Sequence, residues 1–242
     1  MATTLKHTRS ISELLKTVPV DDFFQPIQRI PVLPYDINIA LDVVEALGRE
    51  RKQSFILDED NRFVYENLIR WVHADPAFMA IDPVTRRRRT GDLTKGIYIA
   101  GNTGTGKTWA LDIMRTYLAI DSVRIKVSGI VRPLKWGIYR SDSICDEYAS
   151  TGDLSKFKNL RHLCIHDLGA EPLQSVYMGN RVNVLQQIIE NRGDRVDYLT
   201  LFTSNYPLAG AQITSNYGER AQNRLYEMCN YFELTGKDRR RV

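Results

Sequence analysis

The chain has 242 residues, 43% of them hydrophobic, and a formal net charge of +4 from 33 lysines and arginines against 29 aspartates and glutamates. That length and apolar content suit one substantial core with a small appendage and exclude disordered and fibrous classes; the mild charge excludes a dedicated nucleic-acid coat. Cys145, Cys164 and Cys229 are odd in number and widely spaced, which argues against a disulfide framework. No apolar run is long enough for a bilayer, and the first residues lack the apolar centre of a secretory signal. A cytoplasmic protein without a membrane partner is expected.

Ser10 and Glu13 stand at capping-box spacing and open a short helix through Leu14, Leu15 and Val18, which Pro19 ends. Pro19, Pro26, Pro31 and Pro34 interleave with Phe23, Phe24, Ile27, Ile30, Val32 and Leu33. Such a segment is too broken for a long helix and too apolar to lie in solvent. It is expected to be an arm that docks on a partner or on its own domain.

From Asp36, the spacing of Ile39, Val43, Ala46 and Leu47 predicts a helix closing at Gly48. A second helix, capped by Asp58 or Asp60, aligns Val64, Leu68, Trp71 and Val72 and stops before Pro76. Residues 1–55 are expected to form an N-terminal arm and helix, and 56–242 the main domain. The polar stretch 75–95 is expected as a mobile loop. Its run Arg86, Arg87, Arg88 and Arg89 is either a phosphate contact or a solvated surface.

Next comes the most informative stretch. Ile97, Tyr98, Ile99 and Ala100 form a strand; Gly101, Asn102, Thr103, Gly104, Thr105, Gly106, Lys107 and Thr108 fit G-x-x-x-x-G-K-[ST]; a helical pattern follows over 109–118. Strand, loop and helix are the context in which this pattern binds a nucleotide. The glycines let successive amide N–H groups converge on an anion, and the helix N-terminus adds a positive field. Lys107 would reach the outer phosphates and the Thr108 hydroxyl would help hold Mg²⁺, so a nucleoside triphosphate with Mg²⁺ is the expected ligand.

Beyond the loop, 123–131 and 136–140 are expected as strands, and Ser141 or Ser143 caps a helix through Ile144, Cys145 and Tyr148. Leu163, Cys164 and Ile165 form a short buried strand. Asn180 opens a helix with Val182, Leu185, Ile188 and Ile189 inward, and Gly193 stops it. A buried strand over 198–205, a helix from about Asn216 bearing Leu225 and Met228, and a final strand over 231–234 complete the chain. This alternation predicts an α/β fold, doubly wound, with a mainly parallel sheet flanked by helices.

Ligands of such sheets bind outside the carboxyl ends of the strands. Asp167, at one such end, is where P-loop ATPases hold Mg²⁺, largely through water. Asn205, at another, could orient a water without adding negative charge against a phosphate. Arg220 and Arg224 lie one helical turn apart, with Glu227 in reach of Arg224. A guanidinium offered to a neighbouring subunit's phosphate contributes roughly 10³ to 10⁵ in rate, whereas a surface ion pair contributes below about 1 kcal/mol.

Taken together these residues resemble the helicase-loader family of DnaC and DnaI type, with the related transposition ATPase IstB, within the AAA+ class of P-loop NTPases. The resemblance covers roughly residues 55 to 242. It matches Gly101 to Thr108 with Walker A, Asp167, Leu168, Gly169, Ala170 and Glu171 with the close of Walker B, and Thr203, Ser204 and Asn205 with sensor 1. Tyr217, Gly218, Glu219 and Arg220 with Arg224 match the box bearing the arginine finger, and the segment from Gly236 matches sensor 2, with Arg240 its best candidate.

The resemblance implies an ATPase with Asp167, Asn205, Arg224 and Arg240 in catalysis, self-association with Arg224 acting in trans, single-stranded DNA binding, and a replicative helicase engaged through the N-terminal segment. Its alternatives are an IstB-like ATPase acting on target DNA beside a transposase, and a nucleotide-gated adaptor that does not hydrolyse. One departure matters: family members usually carry tandem acids where this chain has His166 and Asp167. Either Asp167 takes the water-polarising position, or it serves the metal alone and Glu171 or Asn205 handles water. Mg²⁺ prefers oxygen to imidazole, so slow or absent hydrolysis is one expected outcome.

Overall fold

A computed structural model of the chain describes Ser10, Glu13 and residues 27–120, 123–127 and 129–239. Most of the expected arm and helix before residue 27, and Arg240, lie outside the described residues. The expected capping box is present: the Ser10 N–H donates to Glu13 Oε2 (3.0 Å) and the Glu13 N–H to Ser10 Oγ (3.3 Å).

In chain order the elements are β1 (Gln28–Arg29), α1 (Ile37–Arg51), α2 (Arg62–His73), β2 (Met79–Ile81), β3 (Arg88–Thr90), β4 (Gly96–Ala100), α3 (Lys107–Tyr117), β5 (Arg124–Val127), β6 (Ile130–Pro133), β7 (Gly137–Arg140), α4 (Ser141–Thr151), α5 (Ser155–Asn159), β8 (His162–Leu168), β9 (Ser175–Tyr177), β10 (Asn180–Val182), α6 (Val184–Gly193), β11 (Leu199–Ser204), α7 (Ala211–Met228) and β12 (Cys229–Glu233). Among the described residues the main sheet runs β3-β2-β12-β4-β11-β8-β7. The strands from β12 to β7 are parallel, with β2 and β3 added antiparallel at one edge.

Side chains of a strand alternate between faces, and each face of this sheet carries its own core. Ile97 and Ile99 of β4 join α1, α2 and α3 on one side, with Leu111, Met114 and Trp71 among the buried residues. Tyr98 and Ala100 join α4 to α7 on the other, with Ile144, Phe157, Ile188 and Leu225. The expected doubly wound α/β arrangement is therefore the observed one. Because the parallel strands share a direction, Ala100, Arg140, Leu168, Ser204 and Glu233 all end at one edge of the sheet.

Several expected elements differ in the structure, each for a local reason. The stretch 75–95, expected as a mobile loop, forms the β2–β3 hairpin: Asp82 Oδ1 accepts from the Val84 and Thr85 N–H groups, and Arg86 turns with φ 60°. The single strand expected over 123–131 folds back at Gly129, whose φ of 78° suits a residue without a side chain. The resulting β5–β6 hairpin pairs with β1 in a separate antiparallel sheet.

The buried stripe of α1 is Ala40, Leu41, Val44 and Gly48, while Ile39 is 63% exposed. Gly48 does not close the helix. It is a contact point, where a Cβ would meet the Phe55 ring. Asn183, not Asn180, caps α6, its side chain accepting from the Gln186 N–H (3.1 Å); Asn180 begins β10. The last helix starts earlier than expected, at Ala211, with non-helical backbone at Gly218. Neither Ser141 nor Ser143 caps α4: Ser141 instead donates to the Asp167 carbonyl (2.8 Å). Among the described residues no helix is long and apolar enough to cross a membrane.

At the opposite end of β8, the His162 Nδ1–H donates to the Lys135 carbonyl (2.9 Å) and Nε2 is buried without a hydrogen-bond partner. Burial first, and the nearby guanidinium charges second, push its pKa down to about 4. The unfolded chain therefore takes a proton near pH 6.5 that the folded chain refuses until about pH 4. This contribution to stability is complete above pH 6.5 and is lost as the pH falls towards 4, on the order of 2 kcal/mol for a partly buried ring. Urea midpoints at pH 7 and 4.5 should fall less for His162→Gln than for the wild type; equal losses would count against it.

Candidate nucleotide site

The glycine loop joins β4 to α3 at the carboxyl edge of the sheet. Gly101, Gly104 and Gly106 have φ values of 154°, 84° and 96°, so at the latter two positions the backbone curls in a way side chains resist. Space restricts them as well: a Cβ at Gly101 would strike the Leu234 carbonyl and one at Gly104 the Asp238 carboxylate. Thr105 is buried and folds inward, its hydroxyl donating to the Asn102 carbonyl (2.9 Å). Gly106 leads directly into α3, which begins at Lys107.

Lys107 is only 6% exposed. Its ammonium donates to the carbonyls of Gly101 and Asn102 and to Asn205 Oδ1, each at 2.8 Å. Asn205 follows β11, which lies between β4 and β8. This strand order brings the loop, Asn205 and Asp167 to one place. They line a cleft of about 730 Å³ together with Thr103, Thr108, Trp109, Ala170, Lys52, Arg140 and Arg239.

Asp167 and His166 are adjacent in sequence yet face different surroundings. The β8–β11 register shifts between Phe202 and Ser204. At this bulge Asp167 takes φ 58° and its N–H donates to Thr203 Oγ1 (3.0 Å). The Asp167 carboxylate lines the cleft, where Arg140 holds it at 3.1 Å. The His166 ring is buried under α3, with Nε2–H donating to Asp112 Oδ1 (3.1 Å) and Nδ1 facing the Thr203 hydroxyl (3.3 Å). Burial alone would raise the Asp112 pKa, but the hydrogen bonds from His166 and Arg51 outweigh it and hold this carboxyl below its usual range.

Glu171, the other acid considered for water, is buried. One oxygen accepts from the Tyr217 hydroxyl and the other from the Gly169 N–H (2.8 Å). Burial and this carboxylate push the Tyr217 pKa up. Arg224 does not line the cleft of its own chain: its guanidinium meets Asp194 (2.5 Å) and Glu227 (2.7 Å), and its stem covers Gly193. Arg220 is more exposed, 3.7 Å from Glu190. In the arginine run, Arg86 pairs with Glu233 and donates to the Tyr231 hydroxyl (2.9 Å), and Arg88 lies 4.2 Å over the Phe63 ring.

Two cleft cations, Arg140 and Lys52, were not singled out from sequence; a third, Arg239, lies in the segment matched with sensor 2, one residue before the candidate Arg240. Arg140 could have been, because it ends β7 at the same sheet edge as the other site residues. Lys52 carries no such signal. Lys52 and Arg239 arrive from the α1–α2 loop and from the chain after β12, joined by a bond from Lys52 Nζ to the Arg239 carbonyl (2.6 Å). Asp58 anchors the Arg239 guanidinium at 2.7 Å.

A mainly parallel sheet with a glycine loop running into a helix beneath a cationic cleft is a P-loop NTPase fold. Among solved structures, the chain is similar to a candidate primosome component from Streptococcus pyogenes serotype M3, with TM-score 0.51 and 20% identity over 75% of this chain and 83% of that one. It is also similar to the DnaC helicase loader, with TM-score 0.48 and 16% identity over 76% and 94% of the two chains. A third likeness is to the Pif1 helicase from Candida albicans, with TM-score 0.41 and 10% identity over 75% and 40%. The likeness to the first is one of fold. No protein-family model matches the chain. No curated protein matches it.

Proposed function

We propose that the chain is an ATP-binding AAA+ protein that loads or remodels a replicative helicase on single-stranded DNA. The observation that supports nucleotide binding most is the convergence of Lys107, Thr108, Asp167 and Asn205 on one cleft above the glycine loop. The Thr108 hydroxyl and Asp167 carboxylate are oxygen donors of the kind Mg²⁺ takes, so these residues fit the ion. When bound, the ion would neutralise charge on the polyphosphate. Lys107 would exchange its carbonyl partners for phosphate oxygens, and Asn205, released from Lys107, would orient a water. With His166 held under α3 by Asp112 and Thr203, Asp167 is the acid on the cleft, and hydrolysis would be slow.

Arg224 would act in trans: it does not line the cleft of its own chain, and it would exchange Asp194 and Glu227 for a neighbour's phosphate. Arg240 would serve as the sensor 2 cation. The loader role draws on the sequence resemblance together with the shared fold. Its test uses full-length protein and a hexameric helicase. Co-purification that is lost on deleting residues 1–26, which leaves Ile27 and β1 in the fold, together with ATP turnover that responds to single-stranded DNA, is expected. Binding to double-stranded DNA without any helicase would replace this reading with the transposition ATPase, and ATP binding without turnover would replace it with the adaptor. Arg224→Ala should lower turnover by roughly 10³-fold if it acts as a finger, with little change in thermal midpoint; a rate near wild type would return it to a surface ion pair.

A further inference from the structure

Arg140 stands at the end of the cleft away from the glycine loop. The strand order β4-β11-β8-β7 sets the loop, Asn205, Asp167 and Arg140 side by side along the carboxyl edge of the sheet, and all of them line the cleft. Neighbouring strands lie about 4.8 Å apart, so β7 is roughly 14 Å from the strand that carries the loop. The register pairs Arg140 with His166, one residue before Asp167. Its guanidinium is held as a fork. Nε and Nη2 donate to Asp142 at 3.1 and 3.0 Å, which leaves Nη1 to donate to Asp167 at 3.1 Å. Asp142 is itself fixed, since its Oδ1 accepts from the Ser143 N–H (2.7 Å). The Arg140 side chain is 57% exposed. An ion pair that open contributes little to stability, so folding alone gives no reason for a cation aimed at this acid.

We propose that Arg140 distinguishes a nucleoside triphosphate from a diphosphate by donating through Nη1 to the outermost phosphate. This rests on the nucleotide reading above and assigns one further contact to it. The loop amides take the inner phosphates and Lys107 reaches over them. A phosphate chain laid from the loop past Asn205 brings its last member towards the ends of β8 and β7. Asp167 would by then serve Mg²⁺, and a guanidinium and a divalent cation repel one another at a shared carboxylate. The fork to Asp142 need not break. It keeps the guanidinium at the cleft while Nη1 exchanges Asp167 for a phosphate oxygen, a charge-assisted bond that suits a planar guanidinium. A diphosphate ends short of this position and leaves Arg140 with its carboxylates.

The test titrates full-length wild type, Arg140→Ala and Arg140→Lys with ATP and with ADP in Mg²⁺ buffer, alongside thermal melts. Arg140→Ala is expected to weaken ATP binding by about tenfold or more, the scale of one charge-assisted contact, and to leave ADP binding near wild type. Arg140→Lys keeps the charge without the fork and should recover part of the loss. Should Arg140→Ala melt early, Asp142→Asn carries the same test: it keeps Arg140 but weakens the fork, and the ratio of ATP to ADP affinity should again fall. An equal loss for ATP and ADP would overturn the assignment to the outermost phosphate. Unchanged affinities for both would overturn any phosphate contact by Arg140, with nucleotide binding left in place. A wild type that binds neither nucleotide would overturn the nucleotide reading and this contact with it.

Discussion

Lys107→Ala should weaken ATP binding by about 10²-fold or more while leaving the thermal midpoint close to wild type. A charge-assisted contact to a phosphate is worth about 1.5–3 kcal/mol, and one ammonium can make two of them. The stem of Lys107 is buried, so the charge is delivered at a fixed point and little side-chain freedom remains to be lost on binding. Its present partners include two loop carbonyls and Asn205, which border the cleft and can turn to water when the ammonium is gone. Titration of both proteins with ATP, alongside thermal melts, separates the outcomes. Equal affinities would place the nucleotide elsewhere, and a collapsed melting curve would show Lys107 to be structural.

The largest expected effect on stability belongs to Arg192, at the end of α6. Its guanidinium is fully buried. It donates to Thr200 Oγ1 (2.9 Å) and to the carbonyls of Phe157 (2.9 Å), Leu160 (2.6 Å), Arg161 (3.4 Å) and Leu199 (3.2 Å). Tyr198 faces it at 4.9 Å. Burial lowers its pKa to about 9, so it remains charged at neutral pH, and its charge is met by the dipoles of these carbonyls. Arg192→Ala takes five hydrogen bonds from this buried site and opens a cavity at the junction of α5, α6 and β11. A loss of about 3–5 kcal/mol is expected, or roughly 10 °C in midpoint for a domain of this size. Arg192→Met restores volume but no donors, and should recover only part of the loss. A variant within about 1 kcal/mol of wild type in urea unfolding would refute this role.

Arg192 also shows where sequence reading stops. In Glu190-Asn191-Arg192-Gly193 it looks like a solvated helix end, and only the placement of α5 against α6 buries it. The glycine loop was legible because its chemistry is local: spacing, glycines and the flanking strand and helix lie within one short stretch. The parallel sheet was legible for a similar reason, since Ile97, Leu163 and Leu201 sit in short apolar runs between helical periods. The β2–β3 and β9–β10 hairpins were not, because Arg88, Arg89 and Asn180 are polar edge residues whose ladder bonds depend on a partner strand. The face of α1 was misjudged because Gly48 and Ala40 carry too little apolar surface to reveal where Phe55 packs. The cleft was half legible. Asp167 and Asn205 follow from the strand-end rule and Arg239 lies in the segment that the resemblance matched, while Lys52 is brought in by a chain reversal that no local pattern encodes. The separation of His166 from Asp167 depends on a bulge whose partner, Thr203, lies on another strand.

The most direct measurement is isothermal titration of the purified full-length chain with ATP in Mg²⁺ buffer, repeated with the other purine triphosphate. A saturable heat with one nucleotide per chain, lost in Lys107→Ala, is the expected result. A folded protein that releases or absorbs no heat with either would contradict the claim that this glycine loop holds a polyphosphate.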